Sequence, residues 1–552
     1  MRGIVWEIGV AVSLCAGLWL AVGAKDAGKK GAGLAAAGSE QLGNVHFPNS
    51  CSAEAQAPLL RGLALLHSFQ YMESEKTFTE AAKADSKCAM AHWGKAMALY
   101  HQLWDFPEKG TLKDGLASVE KAQKIGTRTQ RERGYIAAAA AFYRDDAKMS
   151  HSERIEAYSE ALDRLRKQKR EDVDASAFYA LSLVALAEDE IDDLGNRRKA
   201  IDLLTPLFRE HPDHPGVAHY LIHAADKPEL ASEGLAAARR YAQIAPDSSH
   251  ALHMPSHIFT RLGLWQESIA SNLAASAAAA HASEMHQSES HYQTHAMDFL
   301  DYAYLQTGQE AKARKLAEEE MNVLGSGEKD KAEHRAAVEA RNALELHCWK
   351  DAAELPVRAG RRHKDDVTYW AAAIGAARSG DVAKAQSNVK KLEEAVKDRE
   401  SESHDTGYKV SAERATDLRE AEAWLAYAQG DFERAVEELS AAAEQEEKKG
   451  LESTTVPARE MLADLFMEIK KPREALEAYK AVLVEAPNRF DGLLGAARAS
   501  VAIGDAAAAR DYFAKLAAIA DKSADRVELA EARNYLEKGT TAQVGGGARR
   551  EK

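Results

Sequence analysis

The chain has 552 residues and a formal net charge of −14 when histidine is counted as neutral. This negative charge, together with the lack of a concentrated basic patch, argues against a nucleic-acid partner. The composition is uniform, rich in Ala, Leu, Glu, Lys and Arg and low in proline, which is typical of helical proteins. An array of repeats would let so long a chain fold without one oversized core. We therefore expect an all-α protein.

Residues 1–24 have the pattern of a secretory signal peptide. Arg2 begins the segment, residues 8–20 are mostly apolar, and small residues at 22–24 offer a cleavage site. Glu7 is unusual inside such a signal, so an uncleaved membrane anchor stays open as the alternative. We expect an exported protein, periplasmic or secreted, with no membrane span once the signal is removed. A flexible leader is expected over residues 25–53.

Export predicts an oxidising compartment in which cysteines form disulfides. Cys51 and Cys88 flank the first expected helical hairpin, and we expect a disulfide between them. Two buried free thiols are the alternative. Cys348 is expected to be a packed core residue.

From about residue 54 onward the hydrophobic pattern is helical and hardly interrupted. The pattern indicates four helical regions followed by a short tail. The regions are divergent hairpins at 54–195, repeats with a histidine-rich segment at 196–320, further hairpins at 321–400, repeats again at 401–538, and a disordered tail at 539–552.

Three helical segments each carry two histidines four residues apart. Four residues are just over one helical turn, so both side chains of a pair project from the same face. An aspartate follows the first and the third pair by three residues and falls on that face. The pairs are His219/His223, His253/His257 and His291/His295, and the aspartates are Asp226 and Asp298.

The spacing of these pairs resembles that of the tetratricopeptide-repeat (TPR) family. His253 follows His219 by 34 residues, the period of that repeat. Residues 423–432 have an aromatic first helix, a Gly-Asp turn and the start of a second helix, and the alanine-then-aromatic spacing at Ala475 recurs 34 residues later at Ala509. The resemblance implies a right-handed superhelix of helical hairpins, an α-solenoid, whose first helices line a concave groove.

On this resemblance the histidine pairs form a ladder inside the groove. Neutral imidazole is a common ligand for zinc, copper and iron. We expect the six histidines to bind a divalent transition metal, zinc, copper or iron, with Asp226 and Asp298 as ligands or as side chains that orient an imidazole. His250 and Arg261 are accessory candidates.

Two other functions stay open. TPR arrays commonly bind a peptide or a protein partner in the groove, and this chain would then be a non-catalytic scaffold. The other is a metalloenzyme in which the ion activates water or dioxygen. The sequence shows neither an open coordination position nor a general base, so a metal-binding protein without catalysis ranks ahead of an enzyme.

Overall fold

The computed structural model describes residues 40–103, 107–144, 149–188, 193–286, 290–323, 331–358, 365–406, 413–451 and 454–546. Within these ranges the chain forms α-helices joined by short turns and contains no strand, which confirms the predicted all-α class. Helices that follow one another in the sequence pack against one another, as expected for an array of hairpins.

The N-terminal helices form one continuous hydrophobic core that extends into the histidine-rich region. Two of these helices begin with a capping box. In one, the side chains of Thr129 and Glu132 each accept a hydrogen bond from the other residue's backbone amide, and Ser150 and Glu153 do the same in the other. The helices are α1 (Ala53–His67), α2 (Tyr71–Ala84), α3 (Ala89–Ala98), α4 (Lys109–Ile125), α5 (Gln130–Phe142), α6 (His151–Gln168), α7 (Val173–Glu188) and α8 (Asp193–Glu210).

The middle helices contain the histidine pairs. One first helix is divided at Met254, because Pro255 has no amide hydrogen with which to continue the bonding pattern. The helices are α9 (Pro215–Ala224), α10 (Ala231–Ile244), α11 (Ser249–His253), α12 (Pro255–Arg261), α13 (Trp265–His286), α14 (Ser290–Gln306) and α15 (Glu310–Val323).

The C-terminal helices continue the array. They are α16 (Lys331–Glu345), α17 (Trp349–Ala353), α18 (Asp366–Arg378), α19 (Val382–Thr406), α20 (Glu413–Ala428), α21 (Phe432–Lys449), α22 (Ala458–Glu468), α23 (Pro472–Glu485), α24 (Phe490–Ile503), α25 (Ala506–Ile519) and α26 (Glu528–Gly546). Helix α26 therefore extends into the segment 539–552, which we expected to be disordered. Residues 547–552 lie outside the described part of the chain.

The turns inside the hairpins share one backbone conformation. Gly263, Gly308, Gly380 and Gly430 each lie in the middle of a three-residue turn and have positive φ angles between 62° and 84°. Glycine adopts this conformation without steric penalty. Phe69 occupies the same turn position between α1 and α2 with φ 55°, which is uncommon for a bulky residue.

The segment before α1 is packed against the helices. Leu42 and Phe47 are buried, and the Phe47 ring stacks on Trp93 with 5.4 Å between centroids. The Asn44 amide also donates to the Asp213 carbonyl at 2.9 Å. The flexible leader predicted over residues 25–53 is therefore too long at its C-terminal end, because apolar side chains fix residues 42–47 to the core.

Residues 1–39, which include the predicted signal peptide, lie outside the described residues. In the part of the chain that is described, no helix has both the length and the apolar character needed to span a membrane.

A disulfide joins Cys51 to Cys88, with 4.6 Å between the Cα atoms. This is the pairing that the sequence predicted, and it ties the segment before α1 to the start of α3. Cys348 is partly buried, and its thiol is not in a disulfide.

A buried arginine connects the middle and C-terminal helices. Arg489, just before α24, forms two 2.8 Å bonds to Glu460 of α22 and a 2.7 Å ion pair with Glu345 of α16. It also donates to the Tyr302 hydroxyl of α14 at 2.7 Å. Since Arg489, Glu345 and Glu460 are all buried, each carboxylate depends on this guanidinium for charge compensation.

We expect Arg489→Met to lower the free energy of unfolding by about 3–5 kcal/mol, because it leaves two buried carboxylates without a cation. Arg498→Met is the matched control, since its ion pair with Glu531 is about two-fifths exposed and should contribute less than about 1 kcal/mol. Urea denaturation measures both. Equal losses for the two variants would contradict the buried network.

The disulfide makes a second prediction. Its loop of 37 residues should contribute about 2–4 kcal/mol to stability, a contribution lost on reduction or in Cys51→Ala/Cys88→Ala. Thiol titration of the processed, unreduced chain in denaturant should find one reactive cysteine, Cys348. Three reactive cysteines would show that the bond does not form.

Candidate metal site

Five of the six paired histidines are brought together, and His250 joins them. Two groups of three result, and within each group one ligand atom per residue lies within 4.8 Å of the others. Triad A consists of His219, His223 and His250, and triad B consists of His253, His257 and His295. The sixth paired histidine, His291, is exposed.

Four helices supply the triads. His219 and His223 lie one turn apart on α9, and His250 and His253 lie on the short helix α11. The division at Met254 separates α11 from α12, which carries His257, and His295 comes from α14.

The triads are enclosed rather than exposed in an open groove. His219, His223, His250 and His253 are all buried, with His219 at 0% exposure. The resemblance placed these side chains on a concave surface. The structure instead covers them with the end of α1 and with α14, so the open-groove expectation does not hold for this segment.

In triad B the hydrogen bonds identify the tautomers of two histidines. His253 Nδ1 lies 2.7 Å from Asn272 Oδ1, and the Asn272 amide nitrogen donates to the Ser268 carbonyl, which fixes the amide orientation. His257 Nδ1 lies 2.8 Å from the Asp226 carboxylate. Because both partners only accept, each Nδ1 carries the hydrogen and each Nε2 has a free lone pair.

These two lone pairs face each other. His253 Nε2 and His257 Nε2 are 3.0 Å apart, which is hydrogen-bond distance, yet neither neutral ring has a hydrogen to donate there. Only a cation between them, a metal ion or an added proton, turns this contact from repulsive to attractive. The ligand nitrogens of a tetrahedral zinc ion lie about 3.3 Å apart, so a small ring movement would admit an ion.

In triad A the hydrogen bonds identify the tautomer of one histidine, His219. Its Nδ1 donates to the His67 carbonyl at 2.6 Å, so its Nε2 carries the lone pair. The Nε2 atoms of His223 and His250 approach this atom at 3.0 and 3.1 Å. Three imidazole nitrogens therefore point at one another in a buried space.

Burial favours the neutral form of His219, His253 and His295. Desolvation lowers the pKa of His219 to about 3, although the His67 carbonyl favours the protonated form. Burial, and then the neighbouring His257, lower the pKa of His295 to about 3. Burial and adjacent histidines also hold the pKa of His253 well below its usual value. Neutral imidazole is the form that binds metals.

Each triad packs against one phenylalanine ring. Phe69 contacts all three rings of triad A with centroid distances of 4.3 to 5.7 Å, and Phe299 contacts all three of triad B at 4.5 to 5.3 Å. The strained turn conformation of Phe69 places its ring there, and strained residues of this kind cluster at functional sites. The two rings limit solvent access to the histidines.

Asp226 contacts triad B through His257. One of its oxygens accepts from His257 Nδ1, and the other accepts from Arg261 Nε at 2.8 Å. Burial opposes its ionisation, yet Arg261 and His257 hold the pKa of Asp226 well below its usual value. Arg261 also donates to the Leu451 carbonyl. These two bonds connect the Asp226 carboxylate to the backbone of Leu451 through Arg261.

Asp298 and His291 occupy different positions from the triads. Asp298 forms a 2.7 Å ion pair with Arg341, which also bonds Asp301. The His291 ring stacks parallel to that of His295 with 6.4 Å between centroids. Both residues therefore lie next to His295 but outside the triads.

A third cluster shows what structural histidines look like in the same protein. His67 donates to Asp174 at 2.9 Å, and its other nitrogen lies 2.9 Å from the Tyr220 hydroxyl. His214 lies 3.2 Å from the same carboxylate and accepts the Val217 amide at 3.3 Å. Every ring nitrogen has a complementary partner, so no lone pairs converge and no cation is required.

Three residues of the site were missed at the sequence level. Asn272 lies on α13 and Phe69 in a turn far away in sequence, and neither position has a local signal for a role beside histidines. Phe299 lies four residues after His295, on the same helical face, so the i, i+4 rule could have identified it.

The depressed pKa values predict acid sensitivity of the metal-free protein. An unfolded histidine has a pKa near 6.5, whereas His219 and His295 have folded values of about 3, so the unfolded chain binds more protons between these values. Stability should fall as the pH drops below about 6.5, by about 2 kcal/mol for each such histidine at pH 5. Denaturant titrations of chelator-treated protein from pH 7.5 to 5 measure this. Constant stability over that range would contradict neutral, buried rings.

Comparisons with known proteins bear on the fold. Neither a family model nor a curated protein matches the chain. Among solved structures it is similar to yeast Tom70, at 12% identity and TM-score 0.34 over 89% of this chain and 96% of that one. It is also similar to a tetratricopeptide repeat protein from Parabacteroides merdae, at 12% identity and TM-score 0.28 over 52% and 97%. A third similar structure is Cut9 of the APC/C hetero-tetramer Cut9–Hcn1, at 12% identity and TM-score 0.28 over 88% of this chain and 96% of that one. One of these structures is described as a tetratricopeptide repeat protein, the family that the sequence resembles.

Proposed function

We propose that this protein is an exported TPR-type repeat protein that binds transition-metal ions through the buried histidines of triads A and B. The observation that supports the proposal best is the 3.0 Å contact between His253 Nε2 and His257 Nε2. Both Nδ1 atoms are committed to acceptors, so two lone pairs meet at a point where a metal ion would sit. The carboxylate–histidine–metal arrangement of Asp226 and His257 is common in metal sites.

The donor chemistry narrows the class of metal. All six triad ligands are neutral nitrogen donors, which suit zinc, copper and iron rather than magnesium or calcium. Three protein ligands per triad leave a coordination position for water or another small molecule. The histidine-only set therefore favours a late first-row transition metal.

A partner-binding scaffold is the rival function. An extended peptide in the concave groove would need the first-helix side chains to be accessible, whereas His219, His223, His250 and His253 are buried. A peptide site at this segment is therefore disfavoured. A pull-down unaffected by loss of both triads, combined with nil metal content, would favour the scaffold instead.

Export is part of the proposal. The signal-like residues 1–24 and the disulfide between Cys51 and Cys88 support a protein that reaches an oxidising compartment. N-terminal sequencing of the processed protein tests it, and a mature chain that keeps Met1 in the cytoplasm would contradict it.

Metal content gives the direct test. Protein purified without a histidine tag should contain transition metal by mass spectrometry, and His253→Ala/His257→Ala should lose at least half of it because triad B is removed. His281→Ala is the control, since this histidine is exposed and outside both triads. Equal metal content in the two variants, or none in the wild type, would refute the proposal.

Asp226→Asn tests the outer partner. The amide keeps the shape of the side chain but removes the charge that holds His257 Nδ1, so metal affinity should fall about 10–100-fold. Competition titrations with a chelator measure the change. Asp213→Asn, whose partner Arg240 lies on the exposed surface, is the control, and an Asp226→Asn affinity equal to that control would contradict the orienting role.

A further inference from the structure

The two triads are parts of one continuous group of imidazoles. Each of the six rings has neighbours with centroids 4.5 to 6.4 Å away, and the contacts form a closed loop through both triads. The rings of His223 and His257 lie 6.4 Å apart across the boundary, and His223 and His250 lie 6.4 Å apart within triad A. Ring pairs across the boundary are therefore 6.3 and 6.4 Å apart, against 4.5 to 6.4 Å for pairs inside a triad.

Resting on the proposed function, we propose that the six histidines hold a pair of copper ions, three nitrogens to each ion, and that the pair binds dioxygen between them. Because rings of the two triads contact each other at 6.3 and 6.4 Å, the two ion positions lie next to each other. Two-metal sites hold a bridging oxygen ligand when their ions are about 3.5–4 Å apart.

The charge balance of the site favours copper in its cuprous state. The carboxylates that interact with the histidines, Asp226 and Asp298, are each paired with an arginine, Arg261 and Arg341. Two divalent ions would add four positive charges to a buried set of neutral ligands, which is costly in a low-dielectric site. Two cuprous ions add half that charge.

Dioxygen binding keeps the buried charge constant. Each cuprous ion transfers one electron to dioxygen, so both coppers become cupric and dioxygen becomes peroxide. Two copper–oxygen bonds form, the oxygen–oxygen bond is retained as a single bond, and no proton is required. The two cuprous ions carry a total charge of +2 before the step. Afterwards the two cupric ions contribute +4 and the peroxide contributes −2, so the total is again +2.

The surroundings suit a small, uncharged ligand. Phe69 and Phe299 each pack against one triad. Four of the six triad histidines, His219, His223, His250 and His253, are buried. An ionic substrate would lose its hydration on entering this space, whereas dioxygen loses very little. The apolar rings therefore select for a neutral diatomic molecule over an anion.

The test uses the processed full chain, stripped with chelator and loaded anaerobically with cuprous ion. We expect two coppers per chain, a near-ultraviolet charge-transfer band when air is admitted, and reversal of the band when oxygen is removed. The oxygenated cupric pair should give no electron paramagnetic resonance signal, because two coupled unpaired spins cancel. His223→Gln and His295→Gln should each keep one copper and lose the band, while the exposed His281→Gln should keep both.

Each outcome has one meaning. Two coppers with the resonance signals of isolated cupric ions would overturn the paired centre, as would one copper per chain, and either result would leave metal binding intact. A protein that binds no metal of any kind would overturn the proposed function as well. The wild-type resonance measurement decides the matter even if a variant fails to fold, which circular dichroism would reveal.

Discussion

The structure around the histidines depends on how their Nδ1 atoms are bonded. Asn272, Asp226 and the His67 carbonyl each accept a hydrogen from one ring, and this choice directs the Nε2 lone pairs into a shared space. Without those acceptors the rings could exchange tautomers and satisfy one another as ordinary hydrogen-bonded neighbours. With them, a cation becomes the missing partner. The metal-binding proposal rests on this bonding pattern more than on the number of histidines.

The repeat fold supplies the rigidity that such a pattern needs. Imidazoles from α9, α11, α12 and α14 meet because successive hairpins stack in a fixed register. The C-terminal helices brace this stack, since Arg489 bonds side chains of α14, α16 and α22, and Arg261 reaches the Leu451 carbonyl. A site built on helices that are braced in this way can hold ligands within the narrow tolerances of coordination chemistry.

Much of the fold follows from local pattern, which is why the sequence predicted it. Helical periodicity, the 34-residue spacing and the glycine turns such as Gly263 and Gly430 are properties of short segments. The histidine pairs are also local, so both members of His219/His223 could be placed on one face. The burial of the ladder was not local. The turn after α1 covers it through contacts between residues more than a hundred positions apart, for example Phe69 with His219, and α14 covers it through residues about 40 positions away, for example Phe299 with His257.

The errors have physical causes as well. His291 follows the pair spacing, yet it is exposed. Two side chains on one helical face can lie at different depths, and of this pair only His295 reaches the other histidines of triad B. Asp298, which helical phase places on this face, forms an ion pair with Arg341, and its role as a ligand or orienting side chain stays a prediction. The leader was judged flexible from its glycines and alanines, whereas Phe47 provides enough apolar area to hold it on the core.

X-ray absorption spectroscopy of the metal-loaded protein tests the central claim most directly, because it measures which atoms surround the ion. The account predicts a ligand shell of imidazole nitrogens at about 2.0 Å, with outer scattering from about three rings per ion. A shell dominated by water oxygens or by sulfur would show that the ion is bound elsewhere and that the converging lone pairs have another explanation.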